Sequence, residues 1–341
     1  MKNLVQTPTG EGGWPMSRAP ESEYAAATAA IGVVIPYFQR RAGLLARAVA
    51  SALDQGEAVY VVVVDDGSPL PARDELATLP EAARAQVKLI EQGNAGVAAA
   101  RNAALDAMPE TIEWIAFLDS DDAWRPSHLA NARAALRQGA DFYFADHRRE
   151  GAALTRFAEC GIDASAGEKL PEGRNLYRYT GDLFATVLRK SPVGTSTVVF
   201  RRALAPDLRF RRELFGPEDT MFWLTLAHHG VQSAFSLEEE ADYGWGVNIF
   251  AGAGWGSPTS MRLLVNVAAF HRMVPEIFPL PPDLAAWNAA WRRQVRRDFA
   301  LNFLHLLRHR KKIDWRALWR FLRAEPALLG DLAAAPLLRR R

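Results

Sequence analysis

The chain has 341 residues, 49% of them apolar and 23% charged, a composition that supports a sizeable core and excludes a disordered or collagen-like chain. Its one cysteine, Cys160, excludes an internal disulfide framework and fits a reducing compartment, and no apolar run approaches the roughly 20 residues that span a bilayer. The formal charge of +2 hides an asymmetry: Trp287–Arg341 holds 14 Lys+Arg against 4 Asp+Glu, a balance of +10, which leaves −8 for residues 1–286.

Residues 1–28 lack the apolar core of a secretory signal and are expected to form a disordered leader. Ala29–Pro36 (AAIGVVIP) is a β-branched run closed by proline, a first buried strand. Ala42–Asp54 carries Leu45, Val49, Ala52 and Leu53 on one helical face, with Gly56 as its stop. Ala58–Val64 predicts a second strand, broken sharply by Asp65-Asp66-Gly67-Ser68-Pro69. A weak helix over Asp74–Gln86 and a short strand over Val87–Glu91 follow. Asn94-Ala95-Gly96 then turns into an alanine-rich helix, Val97–Met108, and a fourth strand runs over Ile112–Leu118.

Such β-α-β alternation predicts an α/β fold, a mostly parallel sheet with helices on both faces. The fourth strand ends in Asp119-Ser120-Asp121-Asp122. Three carboxylates cannot follow an apolar strand into the core unpaired, so they belong in a solvated cleft or around a cation. Hard oxygen ligands suit Mg2+ or Mn2+, which share their sites with water and substrate phosphates. Every polar cluster so far lies just after a strand's carboxyl end, where open α/β sheets bind ligands. The clusters after Pro36, at Asp65–Ser68 and at Asp119–Asp122 are therefore expected to converge.

Farther on, Asp141–Ala145 and Ser196–Phe200 predict strands, and Glu150–Lys190 reads as mostly irregular with some short helix. Gly216-Pro217-Glu218-Asp219 opens a helix that ends at Gly230, with His228 and His229 as surface or cap residues, and Val231–Leu237 is a late strand. Tyr243–Ser257 is rich in Gly and Trp, and Trp245 or Trp255 could stack on a sugar or simply pack. From Thr259 onward the chain is expected to be helical, interrupted near Pro279–Pro282 and Pro326.

Five segments, VVIPYFQR (33–40), VVVVDDGSP (61–69), NAGVAAARNAAL (94–105), FLDSDDAW (117–124) and PEDTMFWL (217–224), stand in the order and spacing of family 2 glycosyltransferases. The chain resembles that family over roughly residues 30–250. The resemblance implies a GT-A fold over residues 29–257, a nucleotide-sugar donor (a UDP-sugar by expectation), a divalent metal and inversion at the anomeric carbon. It assigns Asp66 to the nucleobase, Phe38 to stacking on it with Pro36 beside, Arg101 to the nucleotide pocket and Asp119 to the ribose and metal. Asp121 becomes the direct metal ligand, with Asp122 behind it, Asp219 the general base and Glu218 its neighbour. Where the family usually carries Tyr-Asn, this chain has Phe38-Gln39, which preserves the stack but changes the polar group.

Two other readings compete. A sugar nucleotidyltransferase would want a glycine- and base-rich loop after the first strand, and Pro36–Arg41 has no glycine. A degenerate glycosyltransferase kept as an interaction module would have lost a motif carboxylate, and Asp66, Asp119, Asp121 and Asp219 are all in place. The Gln-x-x-Arg-Trp signature of processive members is absent, so a single sugar transfer is expected, onto a glycan or lipid-linked acceptor of a surface polysaccharide. Residues 258–341 are expected to form a basic helical extension. Trp287, Trp291, Phe299, Phe303, Leu304, Leu307, Trp315, Trp319 and Leu322 alternate there with arginines, a pattern suited to an anionic membrane surface or to packing on the catalytic domain. The expected location is the cytoplasm, peripheral at the inner face of the membrane; no motif supports nucleic acid as a partner.

Overall fold

The computed structural model describes residues 31–149, 151–244 and 254–335; the expected leader and most of the Gly/Trp-rich stretch lie outside these. Strands β1 (Ile31–Tyr37), β2 (Val59–Asp65), β3 (Val87–Glu91) and β4 (Trp114–Phe117) pair in the order β3-β2-β1-β4, all parallel. Helices α1 (Leu44–Leu53) and α2 (Val97–Asp106) make two of the crossovers. β1 and β4 are buried at every position and β2 at all but Tyr60, as strands covered on both faces must be.

Beyond β4 the sheet becomes mixed. A two-residue strand β5 (Ala123–Trp124) and helix α3 (His128–Arg137) lead to β6 (Phe142–Arg149). A hairpin, β7 (Gly167–Lys169) and β8 (Leu176–Tyr179), forms the far edge, and α4 (Leu183–Lys190) follows. β9 (Val199–Arg201) inserts between β4 and β6, antiparallel to both. Helix α5 (Glu218–His228) precedes β10 (Ser233–Tyr243), which lies parallel to β6 and antiparallel to β5 and β8. Because β9 opposes both its neighbours, β6 and β10 point the same way as β1 to β4. All these strands therefore end at one edge of the sheet.

Several local expectations needed tertiary information. The weak helix at Asp74–Gln86 is two short turns, Ala72–Leu76 and Glu81–Arg84, because Pro80 cannot donate into a continuous ladder. Helix α3 had no expectation; it buries Leu129, Ala132, Ala135 and Leu136, a face made largely of alanine and weak in hydrophobic contrast. The β7–β8 hairpin lies in the stretch expected to be irregular: Gly-Glu-Lys has no apolar residue, and its pairing with β8 makes it a strand. The expected strand Ser196–Phe200 begins with a 3-10 turn at Thr195–Thr197, and only Val199–Arg201 joins the sheet.

The C-terminal part is helical as expected: α6 (Pro258–Ile277), α7 (Pro282–Arg308), α8 (Trp315–Ala324) and α9 (Leu328–Ala334). Phe270, Val274, Phe278 and Leu284 join the same apolar core as Phe222 and Trp223 of α5. A second cluster, including Val295, Phe299, Leu306, Leu318 and Phe321, belongs to the extension alone. Phe278, 3% exposed, meets Phe184 edge-on at 5.1 Å and lies 5.2 Å from the His228 ring. Phe278→Ala is expected to lower stability by about 3–5 kcal/mol, measured by urea unfolding of the full chain with fluorescence and circular dichroism. A loss below about 1 kcal/mol would mean that the extension does not hold the catalytic core.

Candidate active site

The end of β2 divides its two aspartates between two tasks. Asp65 accepts the backbone N–H groups of Ser68 and Ala72 at 2.7 Å each, which folds the chain back on itself. Asp66 reaches instead to the start of α2, where it accepts Ala95 N–H at 2.7 Å, Gly96 N–H at 2.8 Å and the Gln92 amide at 2.8 Å. Those backbone groups precede a helix and have no partner within it. Gly67 makes the approach possible: φ is +67°, and a Cβ there would sit 2.9 Å from the Asn94 nitrogen. A carboxylate offers roughly four acceptor positions, and these three donors fill most of them on Asp66, which is buried.

At the end of β1, Pro36 is buried and pairs in register with Val64, so the strand runs through the proline to Tyr37. Phe38, just past it, is half-buried. Gln39, the departure from the family pattern, is buried: its N–H donates to Ser68 Oγ at 2.9 Å, and its amide to Ser120 Oγ at 3.1 Å. Gln39 thereby ties the ends of β1, β2 and β4 together, a link the sequence did not reveal.

The Asp119–Asp122 turn splits as well. Asp122 is buried, accepting Ser196 O–H at 2.6 Å and Gly244 N–H at 2.8 Å. Burial, then the charges of Asp119 and Asp121, hold its carboxyl well above the ordinary range. Asp119 and Asp121 remain partly exposed. The backbone carbonyl of Asp121 accepts from the Arg47 guanidinium of α1.

Arg101, on α2, joins this turn to α5. It is 3% exposed and donates to Asp119 Oδ1 at 2.8 Å and to Glu218 Oε1 at 3.1 Å. Its guanidinium carbon lies 5.1 Å from the centre of the Phe210 ring. Burial works against its charge, but the two carboxylates outweigh it and raise its pKa. Glu218 also accepts Gly216 N–H at 2.8 Å; burial first, and the Asp219 charge second, push its carboxyl up to about 7 despite Arg101. Asp219 accepts Thr195 O–H at 3.1 Å and Thr220 N–H at 2.5 Å, and burial raises its pKa while Arg101 opposes.

The candidate residues Asp119, Arg101, Glu218 and Asp219 thus form one connected cluster, and Asp66 and Phe38 stand at neighbouring strand ends. Sequence reasoning missed the Thr195–Thr197 turn, whose hydroxyls support Asp219 and Asp122. An alternation of Thr and Ser inside an expected strand carried no sign of it. Trp255 lies 6.2 Å from the His305 ring of α7, and Trp245 is outside the described residues. His228 and His229 are exposed, as expected of residues closing a helix.

Among the described residues no group of three or more carboxylate, histidine or cysteine side chains converges as a metal cage. Mg2+ and Mn2+ at phosphate-transfer sites need only one or two carboxylates, with phosphate and water completing the shell. The split at this turn fits that demand. Asp122 is committed to protein donors, while Asp119 and Asp121 stay accessible.

The model of the "Glycosyl transferase family 2" family matches residues 32–204. The succinoglycan biosynthesis protein ExoW of Rhizobium meliloti (strain 1021) is 30% identical over 309 residues, 89% of this chain and 97% of that protein. Among solved structures, S. aureus TarS 1–349 aligns with a TM-score of 0.52 at 18% identity, covering 89% of this chain and 80% of that one. The mannosyltransferase PcManGT from Pyrobaculum calidifontis, in complex with GDP-Man and Mn2+, gives 0.53 at 16% identity, with 90% and 86% covered. These structures share the fold, and the match to the family model and the full-length relative carries the assignment: this chain belongs to glycosyltransferase family 2.

Proposed function

We propose that the chain is an inverting, metal-dependent, non-processive enzyme that moves one sugar from a nucleoside diphosphate onto a hydroxyl of a growing surface polysaccharide, of the kind its relative's name, succinoglycan biosynthesis, describes. The observation that carries the reading is the double ion pair of Arg101, which holds the Asp119 turn and the Glu218-Asp219 pair in one cleft. The donor's base is assigned to Phe38 and the remaining acceptor position of Asp66. Neighbours of the same fold are described with UDP, UDP-GlcNAc and GDP-Man, which supports a nucleotide-sugar donor and leaves its base open; a UDP-sugar is our expectation.

In the transfer step, the acceptor oxygen bonds to the anomeric carbon as the bond to the diphosphate breaks, and that electron pair leaves with the diphosphate. Asp219 takes the acceptor's proton. A base works best when its pKa lies near the operating pH, and burial moves Asp219 in that direction. Thr195 and Thr220 fix its carboxylate, and Glu218 holds Arg101 from the other side. Mg2+ or Mn2+, held by Asp119 and Asp121, would neutralise charge on the departing diphosphate. Local charge supports that need: Arg101 is shared between Asp119 and Glu218, and the charges of Asp119 and Asp121 already raise the Asp122 carboxyl. An anionic diphosphate would otherwise meet net repulsion.

Asp219→Asn is expected to retain donor binding and to lose roughly 10²–10⁴ in transfer rate. The rate of the natural sequence should climb with pH as the Glu218–Asp219 pair ionises, around the value near 7 to which Glu218 is raised. Single-turnover transfer across a pH series measures both. A fall of less than about tenfold, with chemistry rate-limiting, would remove Asp219 from the role of base.

Asp121→Ala is expected to abolish the part of nucleoside diphosphate affinity that depends on Mn2+. Calorimetry of UDP and GDP, with and without Mn2+, tests it. Unchanged metal-dependent affinity would move the ligand role to another residue.

We further assign membrane contact to the extension. No helix among the described residues is long and apolar enough to cross a membrane. On α8, however, Trp315 and Trp319 are 55% and 63% exposed beside Arg316, Arg320 and Arg323, while Ala317, Leu318 and Phe321 pack inward. Aromatic and basic side chains on one outward face suit an anionic bilayer surface. Trp315→Ser with Trp319→Ser should keep the fold and lose flotation with phosphatidylglycerol vesicles at low salt. Equal flotation of both proteins, or none by either, would leave the extension a purely structural element.

A further inference from the structure

A second pocket opens beside the Asp121 turn, with a volume of about 600 Å³. Arg41 and Arg47 from the start of α1, Arg125 after β5, and Arg148 and Arg149 at the end of β6 all line it. Glu239 and Asp242 are its acidic members. Five guanidinium groups against two carboxylates leave +3, within a part of the chain whose total is −8. Arg148 pairs with Glu239 at 2.8 Å and Arg125 with Asp242 at 2.8 Å, so these two acids orient two of the five arginines. Such a concentration of like charge opposes folding unless an anion offsets it. Guanidinium groups are suited to phosphate and carboxylate oxygens through bidentate hydrogen bonds.

Its walls fix its position relative to the reaction. Gly244 presses against the Asp121 backbone so closely that a Cβ would fall 2.0 Å from the Asp121 carbonyl oxygen, and Arg47 is bonded to that same oxygen. On the other side Tyr243 stacks on His147 at 4.1 Å, and its hydroxyl accepts Ser196 N–H at 3.2 Å. The next residue back, Thr195, supports Asp219. The pocket therefore lies between the Asp121 turn and the segment that carries Asp219's support. None of Phe38, Asp66, Arg101 or Asp119 lines it.

We propose that this pocket is an anion subsite on the acceptor side, taking a phosphate, diphosphate or carboxylate group borne by the acceptor; the acceptor half of this statement rests on the glycosyltransferase reading above. It would hold the acceptor's charged group while the hydroxyl to be modified reaches Asp219. It would also compensate for the acidic cleft, which by itself repels an anionic acceptor.

Calorimetric titration of the full chain with inorganic pyrophosphate tests it, with and without saturating UDP or GDP and Mn2+. A pyrophosphate site that persists under nucleotide saturation is expected. Arg149→Gln should weaken it at least about fivefold and Arg125→Gln/Arg149→Gln further, while Arg149→Lys keeps most of the affinity. Nucleotide affinity should stay within about twofold in all three, since these exposed side chains lie outside the donor residues. Displacement of pyrophosphate by nucleotide, or equal binding by the variants, would overturn the proposal. So would variants that lose only flotation on phosphatidylglycerol vesicles, because the pocket would then serve a lipid headgroup. If neither nucleotide binds the natural sequence, the donor reading fails, and the pyrophosphate arm still decides whether the anion site exists.

Discussion

The buried guanidinium of Arg101 is the constraint on which the rest of the site depends. Taking a full charge out of water is expensive unless it is paired and hydrogen-bonded. Arg101 is buried between Asp119 and Glu218, which come from the end of β4 and the start of α5. Removing one partner of such a group commonly costs about 3–5 kcal/mol, so α2, the β4 turn and α5 cannot drift apart independently. The pairing is also lopsided. One cation meets two carboxylates, with Asp219 beside them, and burial together with that excess holds Glu218 near neutrality. On the proposed reading, that excess of negative charge is what an accompanying cation would offset when a diphosphate enters, and burial raises the Asp219 carboxyl toward the range a general base would use.

The sheet supplies the geometry for this pairing. The insertion of β9 antiparallel between β4 and β6 lets strands from both halves of the chain finish at the same edge. The Thr195–Thr197 turn, just ahead of β9, then reaches both sides. Ser196 Oγ donates to Asp122 and accepts Asp119 N–H at 3.0 Å, and Thr195 holds Asp219. Trp124 also donates to the Ser196 carbonyl at 2.7 Å. This three-residue turn therefore sets the distance between the two carboxylate motifs, although its own side chains bring no charge.

What the sequence made legible follows from what local chemistry can express. The first four strands were readable because β-branched runs such as Val61–Val64 admit few alternatives, and each ended in polar residues that cannot be buried without hydrogen-bond partners. The five motifs likewise marked the strand ends and the helix start that the fold brings together. Hidden instead were contacts made across long separations by ordinary residues. Nothing local distinguishes Gln39 as a link to Ser120, or Asp66 as a clamp on the Ala95 and Gly96 amides. The β7–β8 hairpin and α3 were hidden for another reason: Gly-Glu-Lys and an alanine face have little hydrophobic contrast, so tertiary contacts decide their form. The tail was legible as helix but not as to which side packs. Phe299, Leu306 and Phe321 turn inward, whereas Leu307, Trp315 and Trp319 stay exposed. Trp315 and Trp319, four residues apart and so on one helical face, form the exposed side of α8.

Charge segregation gives the arrangement a further logic. Part of the acidic excess of residues 1–286 gathers in the cleft, as Asp119, Asp121, Asp122, Glu218 and Asp219, where the proposed reading would use carboxylates to hold a cation and accept a proton. Had the same region been uniformly acidic, an anionic substrate would have been repelled over a distance set by the Debye length, about 8 Å at physiological ionic strength. Arg41, Arg47, Arg125, Arg148 and Arg149 interrupt it at one wall of the Asp121 turn, within the range where screening is incomplete. The basic extension adds its excess elsewhere, and part of that is consumed internally: Arg292 and Arg296 pair with Glu325, and Arg296 with Asp331 at 2.8 Å. On the outward side of α8, Arg316, Arg320 and Arg323 are exposed beside Trp315 and Trp319. Among the described residues, Arg101 is the buried cation of the carboxylate cluster, Arg47 touches it at the Asp121 backbone, and the other arginines of the pocket lie on the surface around it.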